Sequence, residues 1–259
     1  TVRHAADLMR NVLNRAVKWN IIPRNPALLL DADDLPRLRK PVSAVLTEAE
    51  LSRLLHEAKH PTQRSRKRGY LSAYPAFYPA VAFAAFTGAR RGEILAIRWH
   101  DLDLENGTAT IARSLTDAPR GHLSFKDPKN GRSRTLCISA QLVATLRSHR
   151  AAQAAERLAL GAAYQDEDLA FAQPDGRPIP PWNFAEAVGD LVRRADVTRI
   201  TLHDLRDTHA SLLAKAGVPI EVVSQRLGHS TISITVDRYI TVYRDRDLAA
   251  AQAFDRLVS

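Results

Sequence analysis

The chain has 259 residues, 45% of them hydrophobic and 25% charged, and this ordinary globular composition excludes a disordered or fibrous protein. Its 37 Lys and Arg against 28 Asp and Glu give a net charge of +9, which indicates a polyanionic partner, nucleic acid ahead of membrane, although a basic enzyme of another kind fits the charge as well. One cysteine, Cys137, excludes an internal disulfide framework, and no apolar run approaches the roughly 20 residues of a membrane span, so we expect a cytoplasmic protein.

The first 41 residues contain one predicted helix and a linker. Apolar residues recur at helical spacing over 5–19, and Asn25-Pro26 then forces an extended or turn conformation. Residues 31–41 carry two prolines and mixed charge, which is typical of a linker. Because a single helix cannot bury its own apolar face, we expect 1–41 to be the end of one domain plus a linker, and 42–259 to be a second domain.

The second domain is predicted to begin with helices. Thr47 and Glu50 form a capping box for a helix that continues to Ala58. The basic run KHPTQRSRKR at 59–68 follows, and a solvated loop and a phosphate-contacting loop are equally good interpretations of it. The apolar stretch 76–87 predicts a buried helix that ends at Gly88, and a short helix is expected from Arg91 to Trp99.

A small antiparallel sheet is predicted next, followed by more helices. Residues 101–104 and 108–111 are predicted to be the two strands of a hairpin that turns at Asn106-Gly107. A further strand is predicted at 134–138. A basic loop with Lys126, Lys129, Arg132 and Arg134 lies between the strands. The later helices are expected from Ser139, over 182–194 and 202–216, from Pro219 at the first helical position, and over 248–257. The fold class is therefore mainly α with a small antiparallel β-sheet (α+β).

Three segments carry side chains suited to chemistry. In TGARRGE at 87–93, Arg90 stands at a helix start, where backbone N–H groups and a guanidinium suit an anion. In HDLRDTH at 203–209, His203 and Arg206 are three residues apart on one helix face. The third segment is LGHS at 227–230, followed by Tyr239; the alternation at 232–236 between them favours a strand.

Other kinds of active site are poorly supported. Cysteine pairs and a carboxylate-rich cluster are absent from the sequence, so we expect no metal and no cofactor. A serine hydrolase is disfavoured because the chain has no Gly-x-Ser-x-Gly elbow.

Taken together and in order, these segments resemble the tyrosine recombinase (phage integrase) family. TGARRGEILAIRW at 87–99 is similar to the family's first arginine box, and HDLRDTHAS at 203–211 to its second. LGHS and DRY at 237–239 resemble the histidine–tyrosine end. LTEAE at 46–50 resembles the opening of the catalytic domain, and residues 1–30, ending in IIPRNP, resemble the last part of the core-binding domain.

The resemblance implies the tyrosine recombinase catalytic fold and a set of site residues. Two arginines would hold the scissile phosphate, an acid would support the site, a mobile lysine would serve the leaving group, and two histidines would flank a tyrosine nucleophile. Named in that order, these are Arg90 and Arg206, Glu93, Lys129, His203 and His229, and Tyr239. Tyr243 competes with Tyr239, and Lys126 with Lys129. The helix implied at 232–236 requires tertiary context to override the strand-like pattern.

The implied activity is site-specific DNA cleavage and rejoining through a covalent 3′-phosphotyrosine, without a metal. The implied partners are double-stranded DNA attachment sites and a homo-tetramer on DNA, with accessory DNA-bending or directionality factors compatible and no membrane. The implied location is the cytoplasm, associated with the nucleoid. Two alternatives stay open: a DNA-binding protein on this fold that does not cut, and a relaxing topoisomerase with the same chemistry, which the resemblance favours less.

Overall fold

A computed structural model describes residues 2–36, 44–60, 74–117, 122–127 and 133–229. The chain divides into two compact units, Thr1–Val42 and Ser43–Ser259. Among the described helices, none combines the length and the apolar character needed to cross a bilayer.

The first unit consists of one helix and the turns after it. Helix α1, Val2–Lys18, confirms the helix predicted at 5–19. Asn25 joins it to the following segment, since its side-chain amide donates to the Arg10 carbonyl and its oxygen accepts from the Ala27 N–H. Several apolar side chains of α1 remain more than half exposed, among them Leu8, Met9 and Val12.

The second unit is mostly helical. Its helices, in chain order, are α2 Glu48–Lys59, α3 Phe77–Thr87, α4 Arg91–Ile94, α5 Ala140–Leu160, α6 Pro181–Arg194, α7 Leu202–Lys215 and α8 Ile220–Leu227. The capping box predicted for α2 is present, with the Glu50 carboxylate accepting from the Thr47 N–H and the Thr47 hydroxyl accepting from the Glu50 N–H. The N-cap predicted at Ser139 is confirmed as well.

The strands form two small antiparallel sheets. One has the order β1-β2-β5, with β1 Leu102–Asp103, β2 Thr108–Ile111 and β5 Arg134–Cys137. The other pairs β3 Ser114–Asp117 with β4 Leu123–Lys126. The mainly helical α+β fold is therefore confirmed, as are the predicted hairpin and the strand at 134–138.

The core of this unit surrounds α3. Nine of its eleven residues are buried, which explains why the helix carries no polar face. The Phe77 and Phe184 rings make a T-shaped, edge-to-face contact, and the Phe83 and Phe171 rings are tilted against each other. The apolar run at 76–87 thus becomes the central helix on which the later helices pack. It ends, as predicted, at Gly88 in the left-handed conformation, φ 64°.

Several sequence expectations were wrong in detail. The helix predicted from Arg91 to Trp99 stops at Ile94, because Arg98 is extended and bridges Leu169. The chain between β2 and β5 is not only a basic loop: it contains the second sheet. Its first strand, β3, has a single apolar residue, Leu115, and so gives no alternating pattern from which a strand could be predicted. Lys126 therefore ends a strand and does not lie in a loop. Arg134, which was placed both in the basic loop and at the start of the predicted strand 134–138, begins β5. Pro219 is the N-cap of α8 and not its first residue.

Some predictions fall outside the described residues. These are most of the basic run at 59–68, the strand-like pattern at 232–236 and the terminal helix at 248–257.

Candidate functional site

The C-terminal ends of two helices meet at one place in the second unit. Helix α3 ends at Gly88 and α8 ends at Gly228, both in the left-handed conformation with φ 64° and 65°. The last carbonyl groups of a helix have no partner within it and carry the negative end of its dipole. Two such ends close together therefore create a demand for positive hydrogen-bond donors.

At the end of α3, side chains from other helices supply the donors. The Gly88 carbonyl accepts from Arg206 Nη1 at 2.6 Å, and the Phe86 carbonyl accepts from Arg226 Nη2 at 3.3 Å. His209 Nδ1 lies 2.9 Å from the Ala85 carbonyl oxygen. The end of α3 is thus tied to α7 and α8 by side chains far away in the sequence.

The end of α8 is occupied in the same way. The Leu227 carbonyl accepts from Arg206 Nη2 at 2.6 Å, and the Gly228 carbonyl accepts from Arg90 Nη2 at 3.0 Å. The carbonyl of Arg226 accepts from Arg134 Nε at 3.0 Å. Arg206 therefore joins both helix ends, and Arg90 and Arg206 contact carbonyls of consecutive residues. We call Arg90, Arg134, Arg206 and Arg226 the arginine cluster.

The Glu93 carboxylate contacts two arginines of this cluster. Glu93 accepts from the Arg90 N–H and Nη1 at 2.8 and 2.9 Å, and from Arg134 Nη1 and Nη2 at 2.9 and 2.7 Å. Burial alone raises the pKa of Glu93, but the hydrogen bonds and charge of Arg134, and then those of Arg90, outweigh it and lower the pKa to about 2. Glu93 is thus ionised at neutral pH.

The members of the cluster differ in exposure. The Arg90 side chain is 46% exposed and that of Arg134 is 16% exposed, whereas Arg206 is only 2% exposed. Guanidinium groups bind phosphate and carboxylate oxygens through paired N–H donors. Among the residues that the structure describes here, the four guanidiniums outnumber the Glu93 carboxylate, and this excess of positive charge suits an anion, with Arg90 more exposed than Arg134 and Arg206.

The end of α3 packs closely against α7 and α8 at Gly88, next to His209 and Leu227. A Cβ on Gly88 would lie 2.8 Å from Leu227 Cδ2 and 2.9 Å from His209 Cδ2. Burial, and then the charge of Arg226, lower the pKa of His209 to about 4 against the opposing effect of the Ala85 carbonyl. His209 is therefore neutral at physiological pH and donates from Nδ1 to that carbonyl.

The structure brings three of the predicted site residues together: Arg90, Glu93 and Arg206. His229 follows Gly228 directly, is half-buried, and donates its backbone N–H to the Ser224 carbonyl at 3.2 Å. His203 lies in the first turn of α7 with an exposed side chain, three residues before Arg206.

The remaining predicted residues lie elsewhere or are not described. Tyr239, its competitor Tyr243, and Lys129 lie outside the described residues. Lys126 ends β4 and is exposed. A His-x-x-x-His pair that the sequence reasoning overlooked, His56 and His60, lies at the end of α2 with ring centroids 4.9 Å apart. In the part of the chain that the structure describes, no group of three or more metal-ligating residues occurs.

One expectation about Arg90 is corrected. The sequence suggested that the free N–H groups of a helix start, next to Arg90, bind the anion. The Arg90 N–H is already bonded to the Glu93 carboxylate, and α4 has only four residues. The Arg90 N–H is therefore not available to an anion, and the guanidinium part of the expectation, which Arg90 also carries, is the part that the cluster supports.

Three members of the site were not identified as such from the sequence: Arg134, Arg226 and His209. Arg134 was assigned to a basic loop and to the start of the strand 134–138, but not to the site. The four consecutive polar residues Arg206 to His209 in the sequence of α7 were a signal that could have pointed to the site. The structure shows that all four are buried. Buried polar side chains in a helix need partners, and these partners define the site.

Comparison with known proteins shows that this chain is similar to recombinases. The model of the phage integrase family matches residues 44–246. A protein of Caldanaerobacter subterraneus subsp. tengcongensis named tyrosine recombinase XerC-like is 31% identical over 183 residues, which are 66% of this chain and 47% of that protein. The ICEBs1 integrase of Bacillus subtilis is 30% identical over 186 residues, covering 71% of this chain and 49% of the relative. The chain thus spans about half the length of these relatives.

A solved structure agrees in fold. The Tn1549 transposon integrase in complex with transposon right end DNA superposes with a TM-score of 0.75 over 96% of this chain and 78% of that one, at 18% identity.

Proposed function

The chain belongs to the phage integrase family of tyrosine recombinases, and on that premise we propose that it cleaves and rejoins DNA strands at specific sites through a covalent 3′-phosphotyrosine. The observation that carries the proposal is the arginine cluster, in which Arg90 and Arg206 meet at the end of α8. The proposed substrate is a double-stranded attachment site.

The cluster suits the transition state of phosphodiester exchange. Nucleophilic attack on phosphorus builds negative charge on the non-bridging oxygens, and fixed guanidiniums stabilise that charge without having to reorganise. Arg206 is held at both helix ends, and Arg90 is held by Glu93 and by Gly228. Both arginines are thus oriented before the substrate arrives, which is the property that such stabilisation requires.

The family resemblance assigns the other roles. The oxygen of Tyr239 attacks phosphorus, the bond from phosphorus to the 5′ oxygen breaks, and a 5′ hydroxyl leaves with a proton from Lys129. An unperturbed tyrosine has a pKa near 10, so the nearby positive charge and the base His203 would assist its ionisation, while His229 would contribute to phosphate binding. Attack by a 5′ hydroxyl on the phosphotyrosine reverses these steps and rejoins a strand without an external energy source.

The assembly and location are part of the same proposal. Recombination between two DNA sites involves a homo-tetramer, aided where needed by accessory DNA-bending or directionality factors, and takes place in the nucleoid of a bacterial cytoplasm. Residues 1–41 would be the end of a core-binding domain, and 42–259 the catalytic domain. The named Tn1549 structure, which contains DNA, supports a DNA partner.

A suicide substrate tests the proposal. The protein is incubated with a duplex of its element's attachment site, nicked so that the cleaved fragment diffuses away, and covalent protein–DNA adduct is measured on a denaturing gel. We expect adduct with the wild-type chain and with Tyr243→Phe, and none with Tyr239→Phe. Adduct that survives Tyr239→Phe contradicts the nucleophile assignment. DNA binding by the wild-type chain without any adduct would favour the alternative, a non-cutting DNA-binding protein.

A further inference from the structure

We propose that Arg134 is a positioning residue for this reaction, which holds Glu93 in the orientation that keeps the Arg90 guanidinium directed at the end of α8. This inference rests on the function proposed above. It assigns a role to a strand residue outside the three segments that carry the resemblance.

The Glu93 carboxylate is shared between two arginines. Its Oε1 accepts from Arg134 Nη1 and from Arg90 Nη1, both at 2.9 Å, and its Oε2 accepts from Arg134 Nη2 at 2.7 Å and the Arg90 N–H at 2.8 Å. Of the two Nη atoms of Arg90, this carboxylate therefore engages only Nη1. The second, Nη2, bonds the Gly228 carbonyl at 3.0 Å.

Arg134 is itself fixed in place. Its Nε donates to the Arg226 carbonyl at 3.0 Å, so the whole fork is used: one side binds Glu93 and the third nitrogen binds the end of α8. The side chain also lies directly against Gly228, where an added Cβ would be 2.9 Å from Arg134 Nη1 and 3.0 Å from Cδ. Gly228 thus contacts Arg134 on one side and Arg90 through its carbonyl.

Loss of Arg134 would change the partner of Arg90. A carboxylate with a single guanidinium neighbour favours a bidentate pair with it. Glu93 would then draw both Nη atoms of Arg90 to itself and away from Gly228. The larger contribution of Arg134 than of Arg90 to lowering the pKa of Glu93 agrees with Arg134 as the main partner of this carboxylate.

A lysine cannot replace this arrangement fully. Arg134 uses three nitrogens in one plane to reach two carboxylate oxygens and one carbonyl. A lysine ammonium is a single point on a flexible stem, so it can keep the charge beside Glu93 but cannot bond all three acceptors with the same geometry.

Three variants test the proposal: Arg134→Gln, Arg134→Lys and, as a matched control, Arg147→Gln. Arg147 is an exposed arginine that, like Arg134, donates to a backbone carbonyl, but its acceptor is the Leu104 carbonyl in another part of the unit. The first measurement is the rate constant of adduct formation on the saturating suicide duplex, together with the Kd for the same duplex. We expect Arg134→Gln to lower the rate constant by about 10²-fold, the loss typical of a displaced catalytic group, with much less change in Kd.

Arg134→Lys should recover part of this rate, and Arg147→Gln should match the wild type. A merely structural role predicts instead that the rate constant of the folded fraction is unchanged. If circular dichroism shows that Arg134→Gln does not fold, the rate constant of adduct formation is compared between Arg134→Lys and Arg147→Gln instead, and a lower value for Arg134→Lys supports the proposal. A rate constant for the Arg134 variants equal to that of the control overturns the proposal.

A second measurement does not need activity. The Nε–Hε resonance of Arg90, assigned through Arg90→Lys, is followed by ¹H–¹⁵N NMR in the free protein. We expect it to shift in Arg134→Gln and to stay in place in Arg147→Gln. A wild-type chain that forms no adduct contradicts the proposed function. In that case the Arg90 resonance alone decides whether Arg134 positions Arg90. A resonance that does not move in Arg134→Gln overturns the inference.

Discussion

The two sides of the arginine cluster are held by different kinds of partner. On the buried side, Arg206 bonds the carbonyls of Gly88 and Leu227, and it is 2% exposed. On the exposed side, Arg90 has a side chain that is 46% exposed and is held by the Glu93 carboxylate that it shares with Arg134.

The two arginines therefore depend on different physical conditions. Carbonyl oxygens do not titrate, so the hold on Arg206 depends on the position of two helix ends. Arg90 also bonds a carbonyl, that of Gly228, but its position depends in addition on an ionised carboxylate and on a second arginine. Substitutions and pH should therefore affect the two sides separately, and the following predictions test that separation.

The largest effect is expected on the buried side. Arg206→Met should lower the free energy of unfolding by about 4 kcal/mol, because two buried carbonyls lose charged donors worth about 2 kcal/mol each. Chemical denaturation measures this, with Arg91→Met, an exposed neighbour of Arg90, as the control. A loss for Arg206→Met no larger than that for the control contradicts the structural role of these two bonds.

On the exposed side, the protonation of Glu93 should determine how the free energy of unfolding falls at acid pH. Its pKa of about 2 in the folded chain lies below the ordinary 4.5, so its contribution to stability is complete above pH 4.5 and is lost as pH falls towards 2. That contribution is about 3 kcal/mol at most. Denaturation at several pH values should show a shallower loss between pH 4.5 and 2 for Glu93→Gln than for the wild type. Parallel curves would show that Glu93 is not held as described.

His209 should set the acid response of the buried side, at higher pH. Its folded pKa of about 4 lies below the ordinary 6.5, so stability is complete above pH 6.5 and is lost as pH falls through 4. Between pH 7 and 5 the expected loss is about 2 kcal/mol. His209→Asn keeps a donor for the Ala85 carbonyl but does not titrate, so it should remove most of this slope. An unchanged slope refutes the assignment to His209.

The smallest effect is expected at Gly228. A side chain at its φ of 65° costs about 1 kcal/mol, and Gly107→Ala, at φ 64° and with its nearest neighbour 3.3 Å from the added Cβ, gives the matched backbone cost. Gly228→Ala additionally displaces Arg134, so it should slow adduct formation while Gly107→Ala does not. Equal rates of adduct formation for Gly228→Ala and Gly107→Ala would contradict a role of Arg134 in the reaction.

Local features of the fold could be predicted from the sequence. The capping box at Thr47 and Glu50, the buried helix that ends at Gly88, and the hairpin around Asn106-Gly107 depend on neighbours in the chain, and all three are confirmed. The short helix at 91–99 was wrong because the extended backbone at Arg98 pairs with Leu169, a contact that no local pattern reports.

The site was only partly predictable for the same reason. Arg90, Glu93 and Arg206 stand in recognisable segments, and the structure brings them together. Their partners were not predictable: Arg134 meets Glu93 across 41 residues and Arg206 meets Gly88 across 118. Which carbonyl at a helix end receives which guanidinium depends on how the helices pack, and sequence spacing contains no measure of that.

The most direct test of the central claim is a crystal structure of the wild-type chain trapped on its attachment-site duplex. We predict that the phosphorus joined to Tyr239 has non-bridging oxygens within about 3 Å of guanidinium nitrogens of both Arg90 and Arg206. A trapped phosphate that contacts only one of these arginines, or that lies away from the end of α8, would contradict the account.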